Sequence, residues 1–142
     1  MPWRFWKKDD EAAPPSQPID IAWTRDDRGY YWRLLRLRPA EAGLKAVGGV
    51  YVMWHRGPHP KWIHVGATDD LETALEDARS SQAVLAYEGF GSVYVTWAEI
   101  RPEYRSGVVL HLRETLHPEI DETLPADRLD AGAPPIPVTP PS

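Results

Sequence analysis

The side chains best suited to transferring a proton are a tyrosine and a histidine on two neighbouring apolar segments. Tyr51 lies within GVYVMWH (49–55), and His64 lies thirteen positions further on, within WIHVG (62–66). A phenol and an imidazole can exchange protons with a substrate that lies within hydrogen-bonding distance. On half-buried strands, the same residue types are also typical structural groups that have no catalytic role. The sequence alone leaves both interpretations open.

Three histidines are spaced across the same segment, at His55, His59 and His64. Imidazoles are common ligands of transition metals. However, no HExxH pattern or carboxylate companion accompanies the three, and Pro58 and Pro60 favour a rigid exposed turn between them. The chain also contains no cysteine, which excludes thiolate zinc sites and iron–sulfur clusters. The sequence therefore predicts no metal site and no cofactor.

A run of arginines in residues 25–38 alternates with aromatic side chains. The arginines are Arg25, Arg28, Arg33, Arg36 and Arg38, and the aromatic residues between them are Tyr30, Tyr31 and Trp32. Such a ribbon can stack on the bases and contact the phosphates of single-stranded nucleic acid, or bind an acidic protein. The alternative is a solvated face whose arginines pair with the chain's own carboxylates.

Two tryptophans near the N-terminus, Trp3 and Trp6, lie among basic side chains ahead of a proline-rich stretch. Tryptophan and arginine are common anchors of protein–protein interfaces. We therefore expect residues 1–18 to be a flexible segment that docks on a protein partner, which the sequence does not identify.

A small α+β domain must position these groups. The predicted elements are strands at 49–55 and 62–66 that form a hairpin, a helix over 71–78, a strand at 92–100 and a helix from 106 to 118. Asp70 precedes the first helix as its N-cap, and the apolar residues of that helix recur at helical spacing. Short strands joined by hairpins and separated by helices predict a mainly antiparallel sheet flanked by helices.

The region ahead of this core has weaker signals. Residues 19–38 read as two β-rich stretches around a turn at 26–29, which predicts a hairpin, although helix is the competing interpretation for 30–38. Residues 40–47 are compatible with a short helix that ends at the Gly48–Gly49 pair.

The 142 residues, of which 42% are apolar and 26% charged, suffice for one domain with a hydrophobic core. Nine of the fifteen prolines lie within residues 1–18 or 134–142, and proline is excluded from helix interiors and central strands. We therefore expect a domain over 19–125 and a proline-rich extended tail over 126–142. Residues 133–141 could serve as a polyproline ligand or lie as a strap along a sheet edge, and the alternation of Ile136 and Val138 favours the strap.

The net charge of −5 argues against a broad phosphate-binding surface but leaves a local basic patch possible. The longest apolar run, 47–54, is far shorter than the roughly twenty residues of a membrane-spanning helix. We therefore predict that the chain has no membrane segment.

The order of these motifs resembles the GIY-YIG nuclease superfamily, and more closely a small bacterial branch of GIY-YIG-like proteins. The resemblance covers about residues 47–121. The motifs that carry it are Gly49-Val50-Tyr51, Trp54-His55, His64-Val65-Gly66, Thr68, Thr96-Trp97-Ala98 and the helix that ends at Pro118.

Members of this superfamily cut phosphodiesters with two tyrosines, an arginine and often a histidine on the first helix, and a metal-binding glutamate on the second. By this resemblance the first tyrosine is Tyr51, and the second position holds His64. The arginine position holds Ala74, the first-helix histidine position Ala78, and the glutamate position Val109. Methyl and isopropyl groups can neither stabilise an oxyanion nor bind a metal.

The resemblance therefore implies a GIY-YIG-like binding or scaffolding module of a bacterial cytoplasm that has lost catalysis. One alternative is a divergent metal-dependent DNA endonuclease that uses Tyr51 and His64. The other is a nucleic-acid binder without cleavage that works through the arginines of 25–38.

Overall fold

The computed structural model describes residues 17–142, which form a mixed α+β fold around one four-stranded antiparallel sheet. The strands are β1 (Trp32–Arg33), β2 (Gly49–His55), β3 (Lys61–Thr68) and β4 (Val93–Glu99), and the helices are α1 (Leu71–Ser80), α2 (Gln82–Leu85) and α3 (Pro102–Leu116), with 3₁₀ turns at Leu34–Arg36 and Ala86–Phe90. The sheet order is β1-β4-β2-β3, and every pairing is antiparallel. The predicted fold class is confirmed. Within this part of the chain, each helix falls short of the length and hydropathy that a bilayer crossing requires.

Strand β2 is central, and every residue of it except Trp54 is buried. Its side chains alternate between two cores: Val50 and Val52 pack on one face of the sheet, and Tyr51 and Met53 on the other. The predicted hairpin with β3 is confirmed, and its register places Tyr51 opposite Gly66.

The two faces carry different helices. Helix α1 packs on the face of Tyr51 through its buried apolar stripe, and α3 packs on the face of Val50. Helix α1 begins as predicted, because the Asp70 carboxylate accepts hydrogen bonds from the first-turn N–H groups of Glu72 and Thr73. Helix α3 begins earlier than predicted, at Pro102, since proline fits the first turn of a helix.

Two predictions for residues 19–47 are wrong. The turn at 26–29 exists, closed by a hydrogen bond from Asp26 N–H to the Tyr30 carbonyl, but its two arms bond to β4. The Trp32 ring stacks on Trp97 of β4, with 4.9 Å between the ring centroids. This contact favours pairing of β1 with β4 over pairing of the two arms with each other. Residues 40–47 form consecutive turns instead of a helix, with left-handed backbone at Gly43 and Ala46.

The chain beyond α3 covers the open edge of β3. Backbone N–H groups of Ile120 and Arg128 donate to the carbonyls of Ile63 and Ala67. Between them, the Arg113 guanidinium donates twice to Val65 O, at 3.1 and 2.9 Å. A side chain from α3 thus supplies donors where no backbone strand is present, and the edge is closed to pairing with other chains.

The segment 126–142, for which we predicted an extended tail, packs against the domain. Ile136 and Val138 are buried beside α3, and Val138 forms a parallel bridge with Ile19. The boundary expected at residue 125 therefore does not separate this segment from the core.

Candidate functional site

The positions that the family resemblance assigns to the nuclease arginine, histidine and glutamate do not come together. Ala74 and Ala78 are buried in the core on the α1 face of the sheet. Val109 is fully buried in the core on the opposite face, beneath α3. All three side chains fill core volume, and the sheet lies between the first two and the third.

Tyr51 and His64 are brought together by a residue that the sequence analysis placed in the tail. The Tyr51 hydroxyl donates to Asp127 Oδ1 at 2.5 Å, and His64 Nε2 lies 3.0 Å from Asp127 Oδ2. Tyr51 and His64 are fully buried, and Asp127 is 5% exposed. We call these three residues the buried polar cluster.

The hydrogen bonds of His64 fix the proton content of its pair with Asp127. Nδ1 lies 2.8 Å from the Ile120 carbonyl oxygen, which can only accept, so Nδ1 carries a proton. Nε2 faces a carboxylate oxygen that already accepts from Leu124 N–H. The geometry therefore requires one proton between Nε2 and Oδ2, either on the imidazole or on the carboxyl group. In either form the buried pair is neutral overall.

Tyr51 is held in its phenol form. Burial raises its pKa well above the ordinary value, and the charge and hydrogen bond of Asp127 raise it further, whereas the Arg113 guanidinium lowers it. A general base must be unprotonated near the working pH and must reach its substrate. Tyr51 meets neither condition.

Gly66 makes the close approach within this cluster possible. A Cβ atom at this position would lie 2.5 Å from Asp127 Oδ1 and 2.7 Å from the Tyr51 hydroxyl. Gly66 stands out in the sequence only as part of a motif, and no local pattern singles out Asp127. The buried carboxylate had no local signal, because it lies 63 positions from His64 in the chain.

The arginines of residues 25–38 divide into two groups. Arg25 is used internally: its guanidinium donates to Gly29 O and Ser142 O and lies 4.1 Å from the centre of the Tyr31 ring. Arg38 forms an exposed ion pair with Glu41. For these two arginines, internal partners agree with the solvated-face interpretation.

The other arginines are available to a ligand. Arg33 and Arg36 are exposed, and their guanidinium groups have no ionic partner or hydrogen bond within residues 17–142. They line one hollow of about 330 Å³ together with Arg56, whose guanidinium lies 4.6 Å from the centre of the Tyr94 ring. Tyr30 lines the same hollow and is 63% exposed. We call Arg33, Arg36, Arg56, Tyr30 and Tyr94 the arginine–tyrosine surface.

Arg28 lies at the margin of this surface, with its guanidinium 5.7 Å from the centre of the Tyr30 ring. Arg56 was not singled out from the sequence, because it follows β2 and lies outside the run of arginines. Strands β1 and β2 both pair with β4, so Arg56 at the end of β2 lies near Arg33 and Arg36.

The three histidines of the hairpin do not converge on a metal position. Both ring nitrogens of His64 face acceptors inside the protein, as described above, and His55 Nδ1 accepts from Gly57 N–H. In the described part of the chain, no group of three or more histidine, aspartate and glutamate side chains has the geometry to hold a metal ion.

Trp3 and Trp6 lie outside the described residues, and docking of a protein partner on them stays a prediction.

No protein-family model matches the chain, and no curated protein or solved structure is significantly similar to it.

Proposed function

We propose that this chain is a non-catalytic GIY-YIG-like domain that acts as a binding module. The observation that carries the proposal is the pair of buried apolar positions, Ala74 and Val109, on opposite faces of the sheet. A phosphodiesterase needs a cation facing the reacting oxygens and a metal near the leaving group. Neither of these buried apolar side chains can supply one.

The buried polar cluster supports the same proposal. Tyr51 and His64 are fully buried, and their polar atoms are bonded to Asp127 and Ile120. A substrate could reach them only if the C-terminal segment that carries Asp127 moved away.

A nuclease assay tests the loss of catalysis. The purified chain is incubated with Mg²⁺ or Mn²⁺ and single-stranded, duplex or branched DNA, and no cleavage is expected. Metal-dependent product that disappears in Tyr51→Phe, under conditions where circular dichroism shows the variant folded, would overturn the proposal in favour of the divergent endonuclease.

The ligand that the exposed groups favour is single-stranded nucleic acid, bound without cleavage. The arginine–tyrosine surface combines aromatic rings, of which Tyr30 is largely exposed, with the guanidinium groups of Arg33, Arg36 and Arg56. Those of Arg33 and Arg36 have no ionic or hydrogen-bonding partner in the described chain. Phosphates attract the guanidinium groups, and unpaired bases stack on the rings. Because the chain as a whole has a net charge of −5, we expect nucleic acid to bind at this local basic patch and not over a broad surface.

Binding is measured by fluorescence anisotropy of a labelled mixed-sequence single-stranded DNA over a range of salt concentrations. The triple variant Arg33→Gln/Arg36→Gln/Arg56→Gln is expected to bind at least roughly tenfold more weakly and with a shallower salt dependence. The control variant Arg38→Gln/Lys45→Gln/Arg101→Gln removes the same charge at exposed positions outside the surface and is expected to bind nearly as the parent does. An equal loss of DNA affinity in both variants would show that net charge, and not this surface, determines binding.

An acidic protein is the other partner that such a surface could accept. Poly-glutamate in the same assay distinguishes the two, because it offers negative charge without bases. Tighter binding of poly-glutamate than of DNA would replace the nucleic-acid proposal.

We infer a bacterial cytoplasm as the compartment, from the absence of cysteine and the family resemblance.

A further inference from the structure

A second open space lies on the molecule, between the turn that joins β2 to β3 and the segment of α2 and its 3₁₀ turn. This cavity has a volume of about 920 Å³, and its lining shares no residue with the arginine–tyrosine surface. Small-molecule sites typically occupy about 300–1,000 Å³. Its walls combine the rings of His55, His59, Tyr87 and Phe90 with a charged rim.

His55 contributes a hydrogen-bond donor that has no acceptor in the protein. Gly57 N–H donates to Nδ1 at 3.3 Å, so the proton of the ring is on Nε2. No acceptor for Nε2 exists in residues 17–142, although the side chain is only 4% exposed. Nε2 is not among the fully buried unpartnered polar atoms of these residues, and His55 is one of the residues that line the cavity. A nearly buried donor of this kind is complementary to a ligand acceptor.

The aromatic wall favours a flat ligand. The His55 and Tyr87 rings are within 19° of parallel, with 5.8 Å between their centroids, and Phe90 contacts both. Phe90 is 65% exposed, which leaves a large apolar ring open to solvent. A planar heteroaromatic ring would cover this surface by stacking.

The rim favours a ligand without negative charge. Lys61 Nζ lies 3.0 Å from Glu119 Oε1, so these two charges compensate each other. Glu122 has no ionic partner in the described chain and adds an uncompensated carboxylate to the rim. This carboxylate would repel a phosphate, and it can accept a hydrogen bond from an amino group or a ribose hydroxyl.

We propose that the cavity binds a neutral purine nucleoside. Its ring nitrogen accepts from His55 Nε2–H, its ring system stacks on Phe90 and Tyr87, and its amino group or ribose donates to Glu122. This site is independent of the nucleic-acid proposal, because it uses other residues.

Isothermal titration calorimetry of the full chain tests this site, with adenosine and AMP as probes. Adenosine is expected to bind the parent at least fivefold more tightly than AMP does. His55→Phe keeps the ring but removes the donor, and Phe90→Ala removes the exposed stacking surface; each is expected to weaken adenosine binding at least fivefold. Glu122→Gln is expected to reduce the ratio between the affinities of the protein for adenosine and for AMP, because it removes the negative charge that repels the phosphate.

His111→Phe is the matched control for the histidine, because it lies on α3 outside the cavity and is expected to leave adenosine binding unchanged. Phe90 and Glu122 are exposed, so their variants report on the site even if His55→Phe does not fold. Absence of adenosine binding to the parent at millimolar concentration would overturn the proposal. Equal affinity for adenosine and AMP, or binding that neither Phe90→Ala nor His55→Phe weakens, would also overturn it. The Arg33/Arg36/Arg56 variant must retain adenosine binding, so this result does not depend on that of the DNA assay.

Discussion

Tyr51 and Tyr94 lie on neighbouring strands of one sheet, yet their surroundings differ completely. The Tyr51 hydroxyl is buried and donates to a carboxylate from the C-terminal segment. The Tyr94 ring lies beneath the Arg56 guanidinium on the wall of an open hollow. Tyr51 and His64 are therefore enclosed by the protein, whereas the side chains of the arginine–tyrosine surface are accessible to a ligand.

The origin of the partners explains this difference. Asp127 is 76 positions from Tyr51 and 63 from His64, so the buried polar cluster ties the end of the chain to the centre of the sheet. Such long-range bonds contribute to the stability of the fold. On the arginine–tyrosine surface, by contrast, Arg33 and Arg36 link no distant parts of the chain, because their guanidinium groups have no internal partner in the described chain. Substitutions in the two regions should therefore separate stability from binding.

Asp127→Ala is expected to have the largest effect on stability. It leaves the Tyr51 hydroxyl, His64 Nε2 and Leu124 N–H without their acceptor in a buried site. A buried polar group left without its partner costs about 1–3 kcal/mol, and three groups lose theirs here, so we expect a loss of at least about 3 kcal/mol. The measurement is the free energy of unfolding in urea. The control, Asp121→Ala, removes an exposed carboxylate without a side-chain bond and should stay within about 0.5 kcal/mol of the parent; similar losses in both variants would contradict the role of the cluster.

Tyr51→Phe is expected to destabilise the fold by about 1–3 kcal/mol, because it leaves the buried Asp127 carboxyl group without the Tyr51 donor. It also changes the pH dependence. The pKa of Tyr51 is raised in the folded state, so the unfolded chain ionises first, at roughly pH 10. The contribution of Tyr51 is complete below that pH and is lost as the pH rises toward the folded-state pKa.

The parent should therefore lose more stability between pH 8 and pH 11 than Tyr51→Phe does. Urea unfolding of both proteins at the two pH values measures the difference. An equal decrease in the two proteins would show that the Tyr51 phenol is not protected by the fold.

Gly66→Ala tests how tightly the cluster is packed. The added methyl group would meet Asp127 Oδ1 and the Tyr51 ring at distances that require a shift, and overpacking of this kind costs about 1–3 kcal/mol. Gly89→Ala is the control, because a Cβ atom there would have no neighbour within 4 Å. Thermal unfolding of both variants measures the difference, and equal melting temperatures would contradict the packing argument.

The parts of the fold that the sequence predicted are those with local causes. The hairpin of β2 and β3 follows from alternation over a few residues, and α1 follows from its apolar stripe and the Asp70 cap. The wrong hairpin before residue 38 has a distant cause, since Trp32 stacks on Trp97 of β4. Patterns within a short window contain no information about that partner.

The candidate sites divide in the same way. The arginines of 25–38 were visible as a run of one residue type, but only the tertiary structure distinguishes Arg25, bonded to Ser142, from the unpartnered Arg33. Asp127 and Arg56 lie in segments with turn or tail composition, and their roles depend on contacts with strands far away in the chain.

The smallest expected effect on stability belongs to the arginine–tyrosine surface. The triple variant Arg33→Gln/Arg36→Gln/Arg56→Gln removes no ion pair or hydrogen bond of the described chain, so its free energy of unfolding should stay within about 1 kcal/mol of the parent's. A modest loss can come from the contact of Arg56 with the Tyr94 ring, which is worth about 0.5–1 kcal/mol at an exposed site. Urea unfolding is the measurement, made on the same preparation that is used for DNA binding. A variant that loses DNA binding but keeps its stability identifies these arginines as ligand contacts, whereas a loss of several kcal/mol would mean that they support the fold and that the contrast with the buried polar cluster fails.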